Sequence, residues 1–161
     1  MAAQDAVIEH PNRAKAASKL TKALVVLLLL ASAALVAIVT IGGWDALQGA
    51  KAVQVAAIVL YVGMAFLVAR WNRGVLPVAA ALAIIMLIFA AIAGPAWFER
   101  DKEGFTDPAL DPSLLGLVTL LIVPVQALLI LAAMSGFRQA WNVEVERPPA
   151  EAPARAVPQA S

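Results

Sequence analysis

The chain has no cysteine and a single histidine, His10, in its 161 residues. Without cysteine there is no disulfide, no thiolate metal site and no lipidated cysteine. One histidine in a polar N-terminal stretch makes no metal site, because zinc requires three or four converging protein ligands. Charge is also scarce: Asp, Glu, Lys and Arg make up 14% of the residues, against about 25% in soluble domains. Where charge is missing matters more. Four stretches, 23–41, 52–69, 75–98 and 114–137, contain no Asp, Glu, Lys, Arg or His.

Each absence excludes a chemistry. A proton- or sodium-coupled carrier needs an intramembrane group to titrate or pair, and none is present. Haem ligation needs an axial side chain, and Met64 and Met86 have no histidine within reach. Intramembrane proteolysis lacks its metal ligands, aspartates or serine–histidine pair. The sequence therefore predicts no catalytic residue, no metal, no cofactor and no enzyme activity.

What is present is hydrocarbon. Hydrophobic residues are 62% of the chain, and the mean hydropathy is +0.84. A bilayer core of about 30 Å is crossed by roughly 20 helical residues. Lipid offers the backbone no partners, so an apolar run of that length must be helical. Soluble core helices seldom keep every face apolar for so long. The remaining segments are too short to bury cores of their own. The expected fold is an all-α membrane protein: an antiparallel up-down four-helix transmembrane bundle over 23–137. It is preceded by an N-tail, 1–22, and followed by a Pro/Ala-rich tail, 138–161, whose composition predicts disorder.

Lysine and arginine set the threading. Arg13, Lys15, Lys19 and Lys22 fall in the N-tail, Arg70 and Arg73 between the second and third runs, and Arg138, Arg147 and Arg155 in the C-tail. With four crossings these segments share one face. By the positive-inside rule that face is cytoplasmic. The expected location is the inner (plasma) membrane, multi-pass, with both termini in the cytoplasm. A competing reading takes residues 23–30 and the following Ala31-Ser32-Ala33 as a cleaved signal peptide; continued apolar sequence over 34–41 favours a span.

Trp44, Trp71, Trp97 and Trp141 each lie at or just past the end of a different run, as interface anchors do. Lys15, Lys19, Lys22, Arg70, Arg73 and Arg138 are the expected cytoplasmic basic anchors. Pro11 suits a helix start, which would place Lys15, Lys19 and Lys22 on one face toward anionic headgroups. Asp111 and Pro112 read as the N-cap and first residue of the fourth helix. The acidic loop with Asp101, Glu103, Asp107 and Asp111 lacks calcium-loop spacing and reads as solvated. The tight turn at 70–74 predicts that the second and third helices are neighbours.

Polar residues inside the runs are the remaining candidates for function. Gln54 and Tyr61 are seven apart, as are Thr119 and Gln126, so each pair shares a helix face. Pro124 lies mid-helix and removes the amide that would bond the carbonyl of Leu120. These residues are expected either to hydrogen-bond within the bundle or to line a pathway. Small residues at four-residue spacing, such as Ala90 and Gly94 or Ala132 and Gly136, permit close helix contact. Two functions fit. The first is a non-catalytic accessory or structural subunit of a larger membrane complex, of a respiratory or transport kind. The second is a small homo-oligomeric channel or transporter with an uncharged polar pathway. The expected partners are the lipid bilayer and other membrane subunits or further copies of the chain, not nucleic acid.

Overall fold

The structure, a computed structural model, describes residues 7–100 and 107–147. In chain order it has a short strand β1 (Val7–Glu9) and one helical turn α1 (Pro11–Ala14). The long helix α2 (Ala16–Gly42) follows, then two 3₁₀ turns, Trp44–Ala46 and Gln48–Ala50. Then come α3 (Lys51–Ala69), α4 (Val75–Phe98), α5 (Pro112–Arg138) and a strand β2 (Val145–Arg147). Among the described residues four helices are long and apolar enough to cross a membrane: Ala16–Gly42, Gln48–Ala69, Val75–Phe98 and Pro112–Arg138.

The helix ends follow local chemistry. Asp111 caps α5 as its sequence position predicts, its Oδ1 accepting from the amides of Ser113 (2.8 Å) and Leu114 (3.3 Å), with Pro112 in the first turn. Helix α3 ends in a Schellman arrangement: the amide of Asn72 bonds the carbonyl of Leu67 at 3.1 Å and that of Trp71 the carbonyl of Val68 at 2.9 Å. Glycine usually occupies the left-handed position of that motif, but here Trp71 does, at φ 64°. Ala140 takes the same region after α5, at φ 49°. Helix α5 runs unbroken through Pro124, and α4 contains Pro95 in its last turn.

Two expectations are corrected. The helix begun at Pro11 stops after one turn, because Lys15 is extended (φ −63°, ψ 135°) and α2 starts afresh at Ala16. Lys15 is therefore outside the helix that carries Lys19 and Lys22. The C-terminal tail is also ordered as far as Arg147. Its β2 pairs antiparallel with β1, Val7 opposite Arg147 and Glu9 opposite Val145, so the partner that satisfies its backbone comes from the N-tail. The rest of that tail, 148–161, lies outside the described residues, as do Asp101 and Glu103 of the acidic loop.

The packing is uneven. Helix α5 lies along α4 and also against α2, and α2 lies along α3, whereas α3 and α4 touch little despite their short connection. A five-residue turn fixes only the adjoining ends of two helices. The close contact of α4 with α5 depends on small residues: Ala79, Ala83, Ala90 and Gly94 are buried on α4, and Gly116, Ala132, Ala133 and Gly136 on α5. A Cβ at Gly94 would meet the Leu120 side chain at 2.5 Å, so that side chain seats against bare backbone. The main core gathers Val25, Leu29, Tyr61, Val68, Leu76, Leu129 and Trp141. A smaller cluster of Val39, Ala46, Trp97 and Leu115 closes the opposite end. Large apolar side chains remain exposed on all four long helices, among them Leu27, Val59, Ile92 and Leu131. That is the surface a bilayer would cover.

Candidate functional site: a polar cross-link and a lateral cleft

Gln126, on α5, is wholly buried, and its amide joins three helices. Its Oε1 accepts from the Tyr61 hydroxyl of α3 at 2.8 Å, and its Nε2 donates to Ser32 Oγ of α2 at 2.9 Å. Ser32 in turn donates to the carbonyl of Leu28 at 2.7 Å, one turn back on its own helix. The Tyr61 and Ser32 hydroxyls and one Nε2 hydrogen of Gln126 each have an acceptor, and each of the three side chains is 0% exposed. A buried network of this kind rigidifies a bundle.

Tyr61 of α3 thus meets Gln126 of α5, and Thr119 does not join them. Thr119 instead donates to the carbonyl of Leu115 in its own helix at 2.7 Å. Gln54 meets α2 through Thr40, whose Oγ1 lies 2.8 Å from Gln54 Oε1 and 2.6 Å from the carbonyl of Val36. The single hydroxyl proton is shared between those acceptors. Pro124 is exposed on the outer side of α5 and joins neither group. Ser32 and Thr40 are visible in the sequence as intramembrane hydroxyls. Their partners lie on other helices, and helical spacing alone does not pair residues across helices.

A second feature lies between α3 and α4, where those helices diverge. It is a cleft of about 430 Å³, floored by Val36 and Val39 of α2 and by Thr119 and Ile122 of α5. Ala50, Val53, Gln54 and Ala57 line one wall, and Met86, Phe89, Ala93, Ala96 and Trp97 the other. Gln54, Thr119 and Arg100 are its polar residues, Arg100 at the end nearest the α2–α3 connection. Arg100 Nη1 donates to the carbonyl of Ala46 at 3.3 Å, and its guanidinium lies 5.0 Å from the Trp97 ring centre.

The chain matches no family model, no curated protein and no solved structure.

The far end of the bundle holds a plate of basic and aromatic residues. Lys22 Nζ lies 4.1 Å from the Trp71 ring centre and donates to the carbonyl of Ala69, at the end of α3, at 3.3 Å. Arg73 Nε donates to the carbonyl of Phe137, at the end of α5, at 2.8 Å, and its Nη1 to Asn142 Oδ1 at 3.0 Å. Both cations thus meet the negative ends of helix dipoles. Trp141 is wholly buried, edge-on to Trp71 with ring centres 5.3 Å apart, and donates from Nε1 to Gln139 Oε1 at 3.0 Å. Asn12 and Arg13 reach the carbonyls of Ala140 and Trp141, both at 3.0 Å. The tryptophans thus divide: Trp44 is exposed and Trp71 half-buried, while Trp97 and Trp141 are buried inside the protein rather than presented to headgroups. Lys15, Lys19, Arg70 and Arg138 are exposed, and Arg70 lies 4.8 Å from the Phe66 ring centre.

Proposed function

We propose that the chain is a non-catalytic, multi-pass subunit that packs against other membrane proteins of a larger complex, respiratory or transport in kind. One observation carries this reading: the Ser32–Tyr61–Gln126 network is closed on itself within one bundle. A pore built from homo-oligomers would need those groups turned to a shared axis, and their complete burial speaks against that. The exposed sides of the helices are apolar, with Val59, Phe66, Ile88 and Leu131 among the large exposed residues. Such sides pack against lipid or other membrane helices.

The up-down order is supported by where the helix ends meet. Lys22, early in α2, bonds the last residue of α3, and Thr40, late in α2, bonds Gln54, early in α3. Both tails belong to the basic end, where β1 and β2 pair and Arg13 and Arg73 bind the α5 terminus. With the positive-inside rule, this basic end supports the reading that both termini lie in the cytoplasm, at the inner (plasma) membrane.

Native mass spectrometry after gentle extraction from the source membrane tests the reading. The expected result is a defined complex with different, larger subunits. A closed homo-oligomer that conducts a small solute in liposomes, and stops conducting as Gln126→Leu, would overturn it.

A further inference from the structure

A void of about 430 Å³ that opens sideways into a membrane does not stay empty, because unfilled walls forfeit their dispersion contacts. Water is a poor filler along most of the cleft, since it needs two to four polar partners and the polar groups between the apolar walls are few: the Thr119 hydroxyl bonds Leu115 and Gln54 Oε1 accepts from Thr40. The cleft wall from Met86 to Arg100 is about 21 Å long at 1.5 Å per residue. A second apolar helix would bring no anion to the guanidinium at its end. A hydrocarbon chain fits instead, and 21 Å is close to one leaflet, half of a roughly 30 Å core plus the start of the headgroup layer.

The end of the cleft decides which lipid. Hydrocarbon solvates apolar walls as well as protein does, so a chain alone gains little by entering. Arg100 supplies the selectivity: it is the one charged residue among the described residues lining the cleft, and it lies just past the end of α4. Its Nη1 and the Trp97 ring hold the guanidinium in place. The planar fork suits a phosphate at headgroup level.

We propose that the α3–α4 cleft holds one acyl chain of an anionic phospholipid, drawn from the leaflet on the side of the α2–α3 connection, with its phosphate on Arg100. The proposal rests on membrane insertion and not on the existence of a partner subunit, so it stands if the accessory-subunit reading fails.

The test uses the full chain in nanodiscs of equal phosphatidylglycerol and phosphatidylcholine with added palmitate, followed by native mass spectrometry. One retained phospholipid is expected, with phosphatidylglycerol favoured roughly fivefold: both headgroups offer Arg100 a phosphate, but phosphatidylcholine adds a cation that repels it, by about 1 kcal/mol for unit charges about 4 Å apart in water. Ala93→Trp, at the exposed rim, fills the cleft and abolishes retention; Ala96→Phe does the same one turn nearer Arg100. Arg100→Gln keeps a bound lipid and loses the headgroup preference. Circular dichroism of each variant confirms that the helices persist. Retention unchanged in both filling variants, equal retention of the two phospholipids by the unaltered chain, or retention of palmitate in their place would each overturn the proposal.

Discussion

Gln126 is the side chain through which α2, α3 and α5 meet in hydrogen bonds, and Gln126→Leu tests the account of the core most directly. Leucine is close to glutamine in size, so the change opens no cavity and leaves little packing loss to confuse the result. It removes two interhelical bonds, one from Tyr61 at 2.8 Å and one to Ser32 at 2.9 Å. Such bonds inside membranes average about 0.6 kcal/mol and reach about 1.7, so the pair is worth about 1–3 kcal/mol. Ser32 keeps its bond to the carbonyl of Leu28, whereas the buried Tyr61 hydroxyl is left without an acceptor. The loss should therefore concentrate on Tyr61. Adding Tyr61→Phe to Gln126→Leu removes the orphaned hydroxyl and costs nothing further, while Tyr61→Phe alone destabilises. The double-mutant cycle is expected to give a coupling of about 0.5–1.7 kcal/mol. The assay is reversible unfolding in mixed micelles of dodecyl maltoside and dodecyl sulfate, followed by circular dichroism. Two substitutions that add to within about 0.3 kcal/mol, or a Gln126→Leu variant more stable than the parent, would refute the cross-link.

Two further predictions concern the helix ends. Asp111→Ala leaves the amides of Ser113 and Leu114 without their cap, so stability should fall by about 1 kcal/mol. Faster hydrogen exchange at 113–115 is expected, and unchanged exchange there would contradict the cap. Ala140→Gly should raise stability, an unusual sign for that substitution. Ala140 holds φ 49°, a region costing a non-glycine residue roughly 1–2 kcal/mol, partly offset by the greater unfolded-state freedom of glycine. A midpoint shift toward lower dodecyl sulfate would show that the strain is absent.

The sequence marks the segments long and apolar enough to span a membrane. Runs 52–69, 75–98 and 114–137 differ from α3, α4 and α5 by no more than two residues at either end, because charge, proline and glycine end an apolar run and a helix together. It also marked the Asp111 cap, whose geometry is local. It ended the first run at Lys22, although α2 extends back to Ala16; helical geometry continues past the edge of the apolar stretch wherever tertiary partners are available. Thr21 and Lys22 have theirs in Gln139 and Ala69.

Tertiary structure alone decided who meets whom. Spacing placed Gln54 with Tyr61, and Thr119 with Gln126, on common faces. It could not rotate the helices against one another; in the fold Gln126 meets Tyr61 and Ser32, while Thr119 lines the cleft. The small residues Ala90, Gly94, Ala132 and Gly136 were too common a pattern to pick out a particular pair of helices. In the fold they draw α4 onto α5, and α4 correspondingly stands away from α3, opening the cleft. The pairing of β1 with β2 joins segments from opposite ends of the chain, and composition says nothing about such a contact. A helix is written in neighbours three and four residues apart, whereas a cleft is the remainder when four helices choose their partners.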